Sequence, residues 1–109
     1  MASYLFIEAR DPFDSGDSHH IYDLAGGLAD NGDDVTVYLV QNGVLPTRAA
    51  SNKAPLVSTL AGKATVLADD FSLRERGITS DELVSGVAAS TVDDLVDLIT
   101  DDGRKVIWH

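Results

Sequence analysis

Strands and helices alternate along the whole chain, and this alternation restricts the fold more than any other feature. Residues 3–9, SYLFIEA, form a nearly continuous apolar run, which is typical of a strand buried on both faces. Further strands are predicted at 34–40, 63–68 and 86–90, and in the closing RKVIWH. Connections of this length between successive strands require parallel pairing, with helices on both faces of the sheet. The sequence therefore predicts a three-layer α/β/α domain with a mainly parallel sheet of about five strands.

Apolar residues spaced three and four apart predict the helices that connect the strands. A helix from about His19 to Asn31, with Ser18 as its N-cap, has a stripe made of Ile21, Leu24, Ala25 and Leu28. A later helix, capped by Ser90 or Thr91, has a second stripe made of Val92, Leu95, Val96 and Ile99. Both stripes are expected to face the sheet. Residues 1–109 are thus predicted to form a single domain of the flavodoxin-like kind.

The composition excludes several classes of function. No cysteine occurs among the 109 residues, which excludes disulfides, thiolate metal sites and cysteine nucleophiles. No apolar run approaches the roughly 18 residues that a membrane-spanning helix needs, and MASYLFIEAR lacks the features of a signal peptide. The formal net charge of −10, from fifteen Asp and three Glu against eight Lys and Arg, repels the phosphates of nucleic acids and anionic membranes. We therefore expect an acidic cytoplasmic protein without nucleic-acid or membrane partners.

Two adjacent carboxylates, Asp69 and Asp70, stand where the third predicted strand ends and a helix begins. Ligands of open α/β sheets bind at that edge, and neighbouring carboxylates can separate their pKa values, which suits acid–base catalysis. The other interpretation is structural, because Asp is a common N-cap. Both interpretations hold together if one carboxylate caps the helix and the other faces a cleft.

The loop DPFDSGDSHH brings carboxylates and imidazoles to the start of the first predicted helix. Asp17, His19 and His20 are of residue types that bind zinc or a similar ion. His19 and His20 are adjacent, however, so on a helix their side chains point about 100° apart. Our first interpretation is therefore a solvated loop that binds no metal or other cofactor. In the alternative interpretation, these three residues bind a metal ion. His20 is also a candidate general base that would pair with Asp69.

Four further residues are candidates for ligand binding at the same edge of the sheet, together with Asp69. Asn42 and Gly43 follow the second strand and predict a turn with positive φ. Arg74 and Arg76 predict surface ion pairs in an acidic molecule or, alternatively, a clamp for an anion. No complete catalytic constellation and no glycine-rich phosphate loop is visible in the sequence.

Three segments resemble the DsrE/DsrF/TusD-like sulfur-relay family. YLVQNGVL at 38–45 is similar to the turn after the family's second strand, and LADDFSLRERGI at 67–78 resembles the segment that carries its sulfur-accepting cysteine. Residues 82–99, followed by RKVIWH, match the closing pattern of the family. The resemblance implies a small α/β/α protein that assembles into trimers or hexamers. Several members of the family pass persulfide sulfur between partner proteins.

The position that matches the family's carrier cysteine is Asp69 in this chain. A carboxylate cannot hold and release sulfane sulfur as a thiolate does. The resemblance therefore implies a homo-oligomeric binding or assembly subunit of sulfur-related metabolism, with other sulfur-relay proteins as candidate partners, and not a persulfide carrier. The alternative is an enzyme that uses Asp69 or Asp70 with His20 and an arginine on a small anionic substrate.

Overall fold

A computed structural model describes the whole chain, residues 1–109. Its five strands are β1 (Ser3–Glu8), β2 (Asp34–Leu39), β3 (Thr65–Asp69), β4 (Val87–Ser90) and β5 (Arg104–Trp108). Its helices are α1 (Asp17–Asp30), α2 (Ala54–Ala61), α3 (Asp70–Glu75) and α4 (Val92–Ile99), with short 3-10 helices at Gln41–Thr47 and Ser80–Glu82. None of these helices has both the length and the apolar character needed to cross a membrane. The predicted alternation of strands and helices is confirmed.

All five strands are parallel and lie in the order β4-β3-β2-β1-β5. From β1 to β4 the chain moves in one direction across the sheet, so right-handed crossovers place α1, α2 and α3 on one face. The step from β4 to β5 crosses the sheet in the opposite direction, which places α4 on the other face. The predicted three-layer α/β/α architecture is therefore present, with layers of unequal size.

Buried apolar side chains form one cluster on each face of the sheet. The larger cluster packs Phe6, Val37 and Val66 of the sheet against residues of α1 and α2, including Tyr22 and Val57. The smaller cluster contains four buried residues, Leu5, Ile7, Tyr38 and Leu95. Since apolar burial stabilises by about 25 cal/mol per Å², the face covered by α1 and α2 supplies most of the hydrophobic stabilisation.

The first helix differs from its prediction at Leu24, which is exposed although its stripe was expected to face the sheet, and at the N-terminal end. α1 begins at Asp17 after an N-cap at Gly16, which makes no side-chain bond, and Ser18 is buried inside the first turn. The prediction of Ser18 as N-cap is therefore wrong. The preceding turn is closed instead by Asp11, whose Oδ1 accepts the N–H groups of Phe13 and Asp14 at 2.8 and 2.9 Å.

The apolar stripe of α4 faces the sheet only in part. Thr91 is the N-cap, as one of the two predicted alternatives, and Leu95 is buried. Val92, Val96 and Ile99 are exposed, although the prediction placed them against the sheet. Each residue of a helix is rotated by about 100° from the one before it. The mean direction of these three side chains is therefore roughly 100° from that of Leu95 and Leu98. The helix cannot bury both rows of side chains against the same sheet. The prediction is wrong for this exposed row.

Candidate functional site

The candidate site lies at the carboxyl edge of the sheet, where β3 meets α3. A cleft of about 470 Å³ opens there, and its walls come from α3 and from the first residues of α4. The lining includes Asp69, Asp70, Phe71, Arg74, Thr91 and Val92. Both predicted carboxylates and one predicted arginine therefore line the same cleft.

Asp69 is the N-cap of α3. Its Oδ2 accepts the backbone N–H of Ser72 at 3.0 Å and the Ser72 hydroxyl at 2.6 Å. The same hydroxyl oxygen accepts the backbone N–H of Gln41 at 2.8 Å. Such a cap satisfies one of the free N–H groups of the first helical turn. Asp69 thus caps the helix and lines the cleft at the same time.

The turn after β2 has a different backbone from the one predicted. Gln41 has the positive φ, at 52°, whereas neither Asn42 nor Gly43 does, so the prediction for those two residues is wrong. Gly43 is required for another reason, because a Cβ at that position would lie 2.2 Å from the carbonyl oxygen of Glu8. A close approach of two chain segments therefore explains this glycine. The left-handed backbone of Gln41 is held by its bond to the Ser72 hydroxyl.

Arg76 and Asn42 are in direct contact. The Nε and Nη2 groups of Arg76 donate to Oδ1 of Asn42 at 3.2 and 3.0 Å, and its Nη1 donates to the Ser72 carbonyl at 3.2 Å. Arg76 thereby ties the turn after β2 to the end of α3. Arg74 instead forms an exposed ion pair with Asp70, with 3.3 Å between Nη1 and Oδ2. Both arginines therefore bind partners within the chain.

Tyr38 lies buried beneath the first turn of α4, and its hydroxyl donates to the Thr91 carbonyl at 2.7 Å. The pKa of Tyr38 is raised to about 12, chiefly by burial. A hydrogen bond with Ser90 lowers the pKa in part, and the nearby carboxylates of Asp69, Asp70 and Asp94 raise it. The neutral phenol is therefore the stable form at neutral pH. These carboxylates also make the cleft an acidic environment.

His20 is not brought to the carboxylates. It is exposed on α1, which lies on the opposite face of the sheet from α4, and it does not line the cleft. Asp17 and His19 share the first turn of α1 with it. No group of three or more His, Asp or Glu side chains in the chain is arranged to hold a metal ion. The structure thus assembles Asn42 with Arg76 and Asp70 with Arg74, but not His20 with Asp69.

Sequence reasoning missed a buried carboxylate at the end of β1. Glu8 is fully buried, and both of its carboxylate oxygens lie 2.9 Å from Nδ1 of His109. The N–H of Arg10 donates to Oε1 at 3.0 Å. His109, the residue after β5, therefore covers the Glu8 carboxylate. The signal available in the sequence was one acidic residue inside an otherwise apolar strand.

Solved structures similar to this chain share its fold over nearly the whole length. The ychN protein from E. coli has a TM-score of 0.88 at 19% identity, with all of both chains covered. MTH1491 from Methanobacterium thermoautotrophicum, a protein of unknown function, has 0.82 at 23% identity, again with full coverage of both. BT1422 from Bacteroides thetaiotaomicron has 0.77 at 14% identity, covering 98% of this chain and 95% of its own. No curated protein matches the sequence.

The sequence model of the DsrE/DsrF-like family matches residues 2–108. That span includes all five strands, the capped junction at Asp69 and the turn that contains Asn42 and Gly43. It also confirms the family resemblance found in the three sequence segments. This chain therefore belongs to the DsrE/DsrF-like family.

Proposed function

We propose that this protein is an oligomeric binding and assembly subunit of sulfur-related metabolism, acting in the cytoplasm with other proteins and not carrying persulfide sulfur itself. The observation that carries the proposal is the role of Asp69, which caps α3 at the position where the family resemblance leads us to expect a carrier cysteine. A carboxylate forms no persulfide, and the chain has no cysteine elsewhere. Membership of the DsrE/DsrF-like family supports the sulfur-related part of the proposal.

An exposed apolar surface supports self-association. We call it the α4–β5 surface, and it consists of Val92, Val96, Ile99, Val106 and Trp108. Val106 and Trp108 pair in register with Leu5 and Ile7, which pack on the α4 face of the sheet. All five side chains therefore belong to one face, and none of them carries a charge. Because Trp108 is 66% exposed, this surface has the character of a protein interface.

The expected occupant of the α4–β5 surface is a second copy of the chain. The family resemblance implies trimers or hexamers, and an uncharged surface allows copies with a formal net charge of −10 each to meet without placing carboxylates in contact. Burial of an aromatic anchor with several aliphatic side chains is typical of interface centres. We therefore propose that the copies in a homo-oligomer contact one another through the α4–β5 surface.

Native mass spectrometry of three proteins tests the assembly. Val96 is 50% exposed on the α4–β5 surface, and Leu24 is 49% exposed on α1, so Val96→Glu and Leu24→Glu introduce the same charge at equally exposed helical positions. We expect the wild type and Leu24→Glu to have the same oligomeric mass and Val96→Glu to be monomeric. A monomeric wild type, or an oligomer that Val96→Glu leaves intact, would contradict the assembly proposal.

An Asp69→Cys variant tests the sulfur-related part. Its thiolate would attack a terminal sulfur of inorganic polysulfide, forming one S–S bond while the neighbouring S–S bond breaks and the shortened polysulfide leaves with the electron pair. The N–H of Ser72, which donates to Asp69 in the wild type, would lose its acceptor in this variant and could donate to the thiolate. We expect faster gain of one reducible sulfur than in an Asp102→Cys control on an exposed turn. Equal or slower gain in a folded Asp69→Cys protein would count against the sulfur-related assignment.

The enzyme alternative has less support from the geometry. The cleft holds Asp69 and Asp70, but His20 lies outside it and the guanidinium of Arg74 is paired with Asp70. The same native mass spectrum reports any small molecule that remains bound to the protein. A retained anionic compound that is lost in Arg74→Ala would bring the enzyme alternative forward.

A further inference from the structure

The two open edges of the sheet differ in how they are protected. β5 begins with Arg104 and Lys105, and charged side chains on an edge strand discourage pairing with another chain. The segment that contains β4, residues 85–92 (SGVAASTV), has no charged residue and no proline. β4 pairs with β3 on one side and has no strand on its other side. The N–H of Val87 is bonded to the Val84 carbonyl at 3.2 Å, so the outward backbone groups of the residues that follow Val87 are the ones available to a further strand.

A groove lies on each side of β4, and Ala89 lines both. The groove on the α3 face has a volume of about 460 Å³. Leu73 and Ile78 form its apolar part, and the paired side chains of Asp70 and Arg74 also line it. The groove on the α4 face has about 530 Å³, and Leu67 and Leu98 form its apolar part. Successive side chains of a strand point to opposite faces of a sheet. A strand added beside β4 would therefore direct its side chains alternately into the two grooves.

The groove on the α4 face is acidic. Asp94, Asp97 and Asp101 line it. Asp101 forms a salt bridge with Arg104 at 3.3 Å, whereas no salt bridge reaches Asp97. Asp94 accepts the Ser90 hydroxyl at 2.9 Å, so Asp97 is the carboxylate without a partner. An apolar floor below it complements a side chain with an apolar stem and a cationic end, which describes Lys and Arg. The groove on the α3 face suits small apolar side chains.

We propose that β4 binds an extended segment of a partner protein by strand addition, with Lys or Arg side chains toward α4 and apolar side chains toward α3. A second copy of β4 is a poor occupant because the strand, VAAS, has no cationic side chain for the acidic groove. Antiparallel pairing of two β4 strands would also bring the Asp97 carboxylates of both copies to one face, where they repel each other. The site lies at the opposite edge from β5 and is therefore independent of self-association through the α4–β5 surface.

Three synthetic hexapeptides test the proposal on the full-length protein. The first alternates lysine and valine, the second replaces each lysine with glutamate, and the third repeats the first with every backbone amide N-methylated. Nitrogen-15 NMR spectra report which backbone amides each peptide perturbs. We expect the lysine–valine peptide to shift the amides of Val87, Ala88, Ala89 and Ser90, and the other two peptides to leave them unchanged. Because the N-methylated peptide keeps the charge but cannot complete the strand pairing, equal binding by it would overturn strand addition.

A pair of charge-matched variants tests the acidic groove. Asp97 lines the groove, whereas Asp93 is exposed on the same helix and does not line it. We expect Asp97→Lys to weaken binding of the lysine–valine peptide about fivefold and Asp93→Lys to change it less than twofold. Equal effects of the two variants, or shifts confined to β5, would overturn the assignment. Repeating the titration with Val96→Glu separates the two proposals, since peptide binding there is expected to persist whether or not the protein is oligomeric.

Discussion

Asp69 and Ser72 are joined by two hydrogen bonds to a single carboxylate oxygen, at 3.0 Å from the backbone N–H and 2.6 Å from the hydroxyl of Ser72. The hydroxyl also holds the left-handed backbone of Gln41, so the cap of α3 and the turn after β2 share one side chain. A change at Asp69 should therefore affect both the start of the helix and the neighbouring turn.

Replacing Asp69 should lower the free energy of unfolding by an amount that depends on whether the new side chain can accept a hydrogen bond. Asn is as good an N-cap as Asp, whereas Ala offers no acceptor, so we expect Asp69→Ala to cost about 1–2 kcal/mol and Asp69→Asn less than about 0.5 kcal/mol. Urea unfolding at neutral pH measures both values. An Asp69→Ala protein as stable as the wild type would show that the cap contributes nothing to folding.

Gly43→Ala should be among the most destabilising single substitutions in the chain. Its Cβ would lie 2.2 Å from the Glu8 carbonyl oxygen, which is backbone and cannot move aside freely. We expect a loss of more than about 3 kcal/mol or failure to fold. Gly27→Ala is the control, because nothing lies within 4 Å of a Cβ there and the position is inside α1. It should stabilise the protein by up to about 1 kcal/mol, and thermal unfolding distinguishes the two.

Alkaline pH should destabilise the fold through Tyr38. Burial raises its pKa from 10.0 to about 12 in the folded protein. Between these pH values the unfolded chain has released the phenolic proton and the folded chain has kept it, so the free energy of unfolding falls as pH rises. Below pH 10 this contribution is fully present. Burial and the Glu8 carboxylate also raise the pKa of Tyr22, which extends the trend in the same direction.

Urea unfolding between about pH 9 and 12 measures this dependence, with Tyr38→Phe as the comparison. The variant should lose less stability over the same interval, although the Thr91 carbonyl also loses its donor. Tyrosinate absorbance in the folded wild type that develops entirely near pH 10 would contradict the raised pKa.

Arg74, which lies in α3, and Arg76, which follows its last residue, should differ when each is truncated. Arg76 makes three hydrogen bonds that join the turn after β2 to the helix, whereas Arg74 forms one exposed ion pair within α3. We expect Arg76→Ala to cost about 1 kcal/mol and Arg74→Ala less than about 0.5 kcal/mol. Chemical unfolding at low and at high salt checks this. A larger loss for Arg74→Ala would mean that the pair with Asp70 stabilises more than its exposure suggests.

The order of the elements followed from the sequence because their patterns are local. Periodic apolar residues indicated the strands and helices, and Thr91 was one of the two predicted caps of α4, which the structure confirms. The sequence also indicated Asp69 as an N-cap in one of its two interpretations, because an N-cap residue bonds to the first turn of the helix that follows it. Local rules of this kind need no knowledge of how distant segments meet.

The remaining features depend on contacts between distant segments. Gly43 was expected to have positive φ, but its requirement comes from Glu8, which is far away in the sequence. His109 reaches Glu8 because β5 pairs with β1 across the full length of the chain. His20 does not line the cleft with Asp69 because α1 follows β1, which lies two strands away from β3 in the sheet. Such facts depend on topology and are not encoded in any single segment.

The single helix on one face of the sheet has a consequence for how the molecule opens. α4 has eight residues, and Leu95 is its one member of the buried cluster beneath it. Partial opening of a protein starts where few apolar contacts resist it, so amides of α4 should exchange with solvent before those of α1 and α2. If copies associate through Val92, Val96 and Ile99, mass action would oppose that opening. Amide exchange in α4 would then become slower as the protein concentration rises, whereas exchange in α1 and α2 would not change.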